Sequence, residues 1–84
     1  MIKNLKDKFI KHEQFKDVCF FVEEYSIHDG QLEVYGEWIN QGFVDSWYLD
    51  TKETLKIKNI DEWLMVSVYN GPCLRYANWE SIVL

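Results

Sequence analysis

The chain of 84 residues is poor in the residues that staple, punctuate or catalyse: two cysteines, one proline, four glycines, two histidines and a single arginine, Arg75. Two cysteines, Cys19 and Cys73, are too few for a disulfide scaffold and read as buried thiols of a reducing compartment. With so little proline and glycine and 48% hydrophobic residues, low-complexity and disordered chains are excluded. No apolar run is long enough to span a bilayer, and residues 1 to 4 form neither an h-region nor a cleavage site, so the expectation is a cytoplasmic protein without membrane contact. Enzyme motifs are missing too. There is no glycine-rich phosphate loop, nucleophile elbow or His-Glu metal pair, and Cys19, Cys73, His12 and His28 include no closely spaced ligand pair. No catalysis, cofactor or metal is expected, and His12 and His28 read as ordinary surface histidines.

A further absence is regional. Positions 17 to 50 contain eight acidic residues and no lysine or arginine, whereas residues 1 to 16 carry a net +3 and residues 51 to 84 are neutral, for −5 in all. Phosphate backbones need a basic stripe, so direct nucleic-acid binding is disfavoured and a basic partner favoured.

What is present is aromatic area, 17% of the chain. A chain this short hides only roughly 60% of its unfolded surface, so these rings must supply the core of one domain, residues 1–84. Asp29-Gly30, between two β-branched and aromatic runs, predicts a two-residue hairpin turn. Regular pairing from that turn sets Ile27, Tyr25, Glu23 and Phe21 against Leu32, Val34, Gly36 and Trp38 on a core face. The opposite face gathers Glu24, Glu33 and Glu37 around Tyr35, with Phe20 and Ile39 at its far end. Glu23 would then be a buried carboxylate in need of a partner, and Arg75 is the planar donor available. The alternative is that Arg75 lines a ligand pocket with Tyr76 and Trp79.

Along the rest of the chain, Ile2, Leu5 and Phe9 repeat at helical spacing and predict a short amphipathic helix over residues 2 to 12 covering Phe20 and Ile39. Asn40 to Ser46 reads as a loop displaying or tucking Phe43, with Asp45 beside it. Trp47 to Asp50 reads as a short strand, Thr51 to Glu53 as a turn, and Thr54 to Lys58 as the returning strand. Glu62 to Tyr69 is apolar on both faces, as in a central strand. Asn70-Gly71-Pro72 is a turn signal before a last strand. The fold class is therefore mainly β: a small, strongly bent antiparallel sheet or partly open barrel of five or six strands, of the Src-homology-3 or Sm kind, with one short N-terminal helix. An α+β sheet packed on one helix is the alternative.

The stretches GEWINQGFVDSW and CLRYANW resemble small bacteriophage-encoded proteins of unassigned function. That resemblance implies a phage context, in which short acidic proteins inhibit host or defence machinery, and it implies no catalytic residue. The resulting expectation is a non-enzymatic interaction module in the host cytoplasm. It would dock Glu24, Glu33, Tyr35, Glu37, Phe43 and Asp45 on a basic surface, such as that of a nucleic-acid-binding host or defence protein. The competing expectation is a small-molecule binder in which Arg75, Tyr76 and Trp79 enclose an anionic metabolite or signalling nucleotide, with a second copy of the chain as a further candidate partner.

Overall fold

A two-residue type I′ turn demands positive φ at both central positions, and Asp29 (51°) and Gly30 (76°) supply it. In the computed structural model, which describes residues 4–15, 18–41, 46–68 and 77–82, this turn joins β2 (Val18–His28) to β3 (Gln31–Gln41). Pairing follows the turn as far as Glu24 opposite Tyr35, with Tyr25 on Val34 and Ile27 on Leu32. There the register slips: Val22 faces Gly36, Phe21 faces Glu37 and Phe20 faces Trp38.

The slip is a β-bulge at Glu23, and its cause is the apolar pattern. Phe20 and Val22 occupy even positions, Tyr25 and Ile27 odd ones, so a regular strand would send one pair to each face. One extra residue switches the phase and turns all four toward the same core. The expectation of Glu23 and Phe21 on the core face is thereby corrected. Glu23 points outward enough to be 32% exposed and its Oε1 accepts from Lys52 Nζ at 3.1 Å; Arg75, the partner expected for it, lies outside the described residues. The bulge also fixes the residue opposite. A Cβ on Gly36 would stand 1.8 Å from the Phe21 carbonyl oxygen, closer than any side chain can.

The N-terminal helix is overturned as well. The Asn4 side chain accepts the Lys6 amide at 2.9 Å, Lys8 N–H donates to the Leu5 carbonyl at 3.1 Å, and Asp7 takes φ 63°. These contacts make a tight turn in place of a helix. Asp7 N–H then donates to Val22 O, Val22 N–H donates to Lys8 O, and the chain enters β1 (Phe9–His12) alongside β2. Adjacent Phe9 and Ile10 explain the choice. Ile10 is fully buried in the main core and Phe9 packs with Phe21, ring centroids 5.1 Å apart, in a second cluster, so both faces of this segment are covered.

Beyond β3 the chain runs straight through residues 51 to 53 in one long strand, β4 (Ser46–Ile57). The expected turn there is a register irregularity instead: Glu37 pairs with Lys52 but Ile39 with Tyr48, leaving three β4 residues opposite Trp38. A one-turn 3₁₀ segment, Ile60–Glu62, leads to β5 (Trp63–Val68), and β6 (Asn78–Ser81) closes the order.

The result is one antiparallel six-stranded sheet, β4-β3-β2-β1-β5-β6, which is open. β5 lies between β1 and β6, as its two-sided apolar sequence requires. The main core gathers Leu5, Ile10, Phe20, Val22, Leu32, Val34, Ile57, Met65 and Ile82 on one side. Cys19 and Ile39 are buried in the second cluster with Phe9, Phe21 and Trp79. Among the described residues no helix is long and apolar enough to cross a membrane.

Candidate functional site

A concave aromatic surface is assembled by short-range constraints around His12. Glu13 N–H donates to Glu62 O at 2.7 Å and Phe15 N–H to His12 O at 2.9 Å, which curls the chain at the end of β1 and brings Phe15 back over the sheet. Gln14 N–H donates to His12 Nδ1 at 3.2 Å, so Nδ1 is an acceptor and the ring proton is assigned to Nε2, which donates to Glu62 Oε2 at 2.9 Å. His12 is thus an anchored residue, its side chain 17% exposed, and not the ordinary surface histidine expected; His28, beside the hairpin turn, is exposed.

Phe15 stands with its ring centroid 6.2 Å from Trp38 and 6.5 Å from Trp63, at interplanar angles of 53° and 73°. Trp38 is held from behind by Phe20 at 5.1 Å, and Trp63 edge-on by His12 at 5.6 Å. These rings wall a cleft of about 380 Å³, whose other side is the end of β4 and the following connection, Leu55 to Asn59, with Glu62 at its rim. Phe15 stays 39% exposed, a large apolar ring left in water. Lys56 and Lys58, both exposed on this rim, form no ion pair with any described residue.

The outward face of the hairpin is the second candidate. Glu24, Glu33 and Tyr35 are brought together, as expected, around a shallow depression of about 250 Å³ shared with Ser26 and Thr54, and Tyr35 is 41% exposed. Glu37 lies further along the same strand. The lysines missing from positions 17 to 50 arrive from elsewhere. Lys6 Nζ lies 3.6 Å from Glu24 Oε1, Lys56 is the cross-strand partner of Glu33, and Lys52 is that of Glu37 while bonding Glu23. Those neighbours, the Glu23 hydrogen bond first, then the Glu23, Glu37 and Tyr35 charges, raise the Lys52 pKa. This face is of mixed sign, and the acidic run is compensated strand by strand.

Phe43 and Asp45 lie outside the described residues, as do Arg75 and Tyr76 of the alternative pocket. Trp79 is described. It packs with Cys19 and Ile39, carries Lys11 Nζ 4.5 Å from its ring centroid, and takes no part in the aromatic cleft. The cleft residues Phe15, Trp38 and Trp63 are not among the site residues expected from the sequence, where Trp38 belongs to the core face of the hairpin and Trp63 to the strand over Glu62 to Tyr69. One signal was readable: Phe15 is a lone ring in the polar run HEQFKD. The convergence of the two tryptophans depends on long-range pairing, of β2 with β3 across the bulge and of β1 with β5. No protein-family model, no curated protein and no solved structure matches the chain.

Proposed function

We propose that the chain is a non-enzymatic binding domain whose working site is the aromatic cleft, occupied by a small molecule. The carrying observation is Phe15: its ring is held by backbone hydrogen bonds in a position where it remains exposed against two tryptophans. Apolar area kept in water within a concave surface is what ligand sites leave empty, and about 380 Å³ lies at the small end of the range such sites span, roughly 300 to 1,000 Å³. Two of the four tryptophans line it, so intrinsic fluorescence and thermal shift against a panel of metabolites test the reading. A ligand should alter both, and Phe15→Ala should abolish the response. Silence across the panel, including hydrophobic dyes, would rule the cleft out.

A second reading keeps the outward hairpin face as a docking surface for a basic partner, in keeping with a phage-type inhibitor acting in the host cytoplasm. Tyr35, exposed between Glu24 and Glu33, is the observation in its favour, since interface energy concentrates on such rings. The lysines opposite the glutamates weaken its electrostatic version, and binding by Tyr35 would tolerate salt better than a purely acidic bait. Reversing Glu24, Glu33 and Glu37 to lysine should slow association with a captured partner; an unchanged rate removes the charge from the mechanism. For the finer architecture we propose a partly open barrel of the Src-homology-3 or Sm kind, in keeping with a single antiparallel six-stranded sheet.

A further inference from the structure

The cleft's rim is asymmetric in charge, and that asymmetry selects among ligands. Three rings at steep mutual angles suit two classes of guest: a quaternary ammonium enclosed by ring faces, or a planar ring stacked on one face and met edge-on by the others. A carboxylate on the rim would favour an ammonium, and lysines there an anion. Glu62 is the acid on the rim, and its Oε2 already accepts from His12 Nε2 at 2.9 Å. Lys56, Lys58 and Asn59 line the same cleft. Lys56 has Glu33 as its cross-strand neighbour, which draws part of its field outward. Lys58 is exposed just past the end of β4 and forms no ion pair with any described residue.

Resting on the reading of the cleft as the binding site, we propose that its ligand is a planar aromatic ring bearing a phosphate or carboxylate. The ring seats against Phe15, Trp38 and Trp63, and Lys58 holds the anionic group. Lysine serves here as a mobile point charge, suited to a terminal anion and indifferent to its exact geometry. The volume admits a ligand of about nucleoside monophosphate size or smaller.

The test is a titration of the full-length ¹⁵N-labelled chain with AMP, phenyl phosphate, adenosine and tetramethylammonium chloride. The indole N–H signals of Trp38 and Trp63 report the cleft, and that of Trp79 serves as the remote reference. AMP and phenyl phosphate should move both cleft signals, their order of affinity telling a nucleotide from a simple aryl phosphate. Adenosine should bind about tenfold more weakly than AMP, the usual worth of one charge-assisted contact. Lys58→Ala should erase that difference, and Phe15→Ala, at a residue exposed enough to be replaced without unfolding the domain, should weaken every aromatic probe. Equal affinity for adenosine and AMP, preference for tetramethylammonium, or indifference to Lys58→Ala overturns the anionic assignment while leaving the cleft as a site. No shift at either indole with any probe overturns both.

Discussion

Gly36→Ala is the sharpest perturbation the fold offers, because one methyl group meets the backbone of the bulge. The added Cβ would lie 1.8 Å from Phe21 O, 2.9 Å from Phe21 C and 3.2 Å from Glu23 N, where real Cβ atoms keep at least 3.0 Å. Opening 1.8 Å to 3.0 Å means moving one backbone against the other by more than 1 Å at the middle of the β2–β3 ladder. No flexible side chain can yield instead. Overpacking costs about 1–3 kcal/mol, and losing one or two ladder hydrogen bonds beside the bulge adds about 1 kcal/mol each, so the variant should lose about 2–5 kcal/mol. A domain of this length has only about 4–13 kcal/mol in hand. The melting temperature should therefore fall by about 8 °C or more. Gly30→Ala is the control. Its φ of 76° strains any side chain, yet nothing lies within 4 Å, so only the left-handed backbone cost of about 1–2 kcal/mol applies. Urea titrations followed by tryptophan fluorescence compare the two. If Gly36→Ala loses less than Gly30→Ala, the bulge does not press on Gly36 and the register across Glu23 is wrong.

Other substitutions probe separate parts of the fold. Leu5→Ala removes a fully buried side chain from the turn that replaced the expected helix and should cost about 2–4 kcal/mol by urea titration; a loss below about 1 kcal/mol would detach residues 4–8 from the core. Because Glu23 raises the Lys52 pKa above its unfolded value near 10.4, the stabilisation is complete below about pH 10.4 and disappears as pH climbs through the raised folded value. Melting curves of wild type and Lys52→Met should accordingly keep a constant separation from pH 7 to 10 and converge above it. In a Cys73→Ala background, Cys19 should react with a thiol reagent only at the unfolding rate, since its side chain is sealed in the second cluster; prompt labelling would place it at the surface.

How much of this could be read from the chain varies with the range of the interactions responsible. The Asp29-Gly30 turn and the first pairs beyond it are local, and there the register matches. Beyond Glu24 regular counting fails, although the signal was present: the apolar phase moves from Phe20 and Val22 to Tyr25 and Ile27 across two glutamates, and only an inserted residue reconciles the two. Residues 2 to 12 misled because Ile2, Leu5 and Phe9 fit a helical period over too few turns, while Ile10 beside Phe9 asked for cover on both sides. Thr51-Lys52-Glu53 looked like a turn by composition, and pairing with β3 overrode it. The acidic run was real, but the lysines that answer it come from β4 and the N-terminal turn, a juxtaposition that only the three-dimensional sheet creates. The aromatic cleft has the same origin, since its walls come from four separate stretches of chain.

Among the described residues the strand order leaves β4, twelve residues long, at one margin of the sheet, with no strand paired to its outer side. Lys52, Lys56 and, just past the strand, Lys58 stand along it at alternating positions, and two such borders brought side by side would stack like charges. That repulsion is a guard against runaway self-assembly, the hazard that exposed strand borders carry. Acetylating those amines, which leaves the hydrophobic interior alone, should promote assembly into fibres.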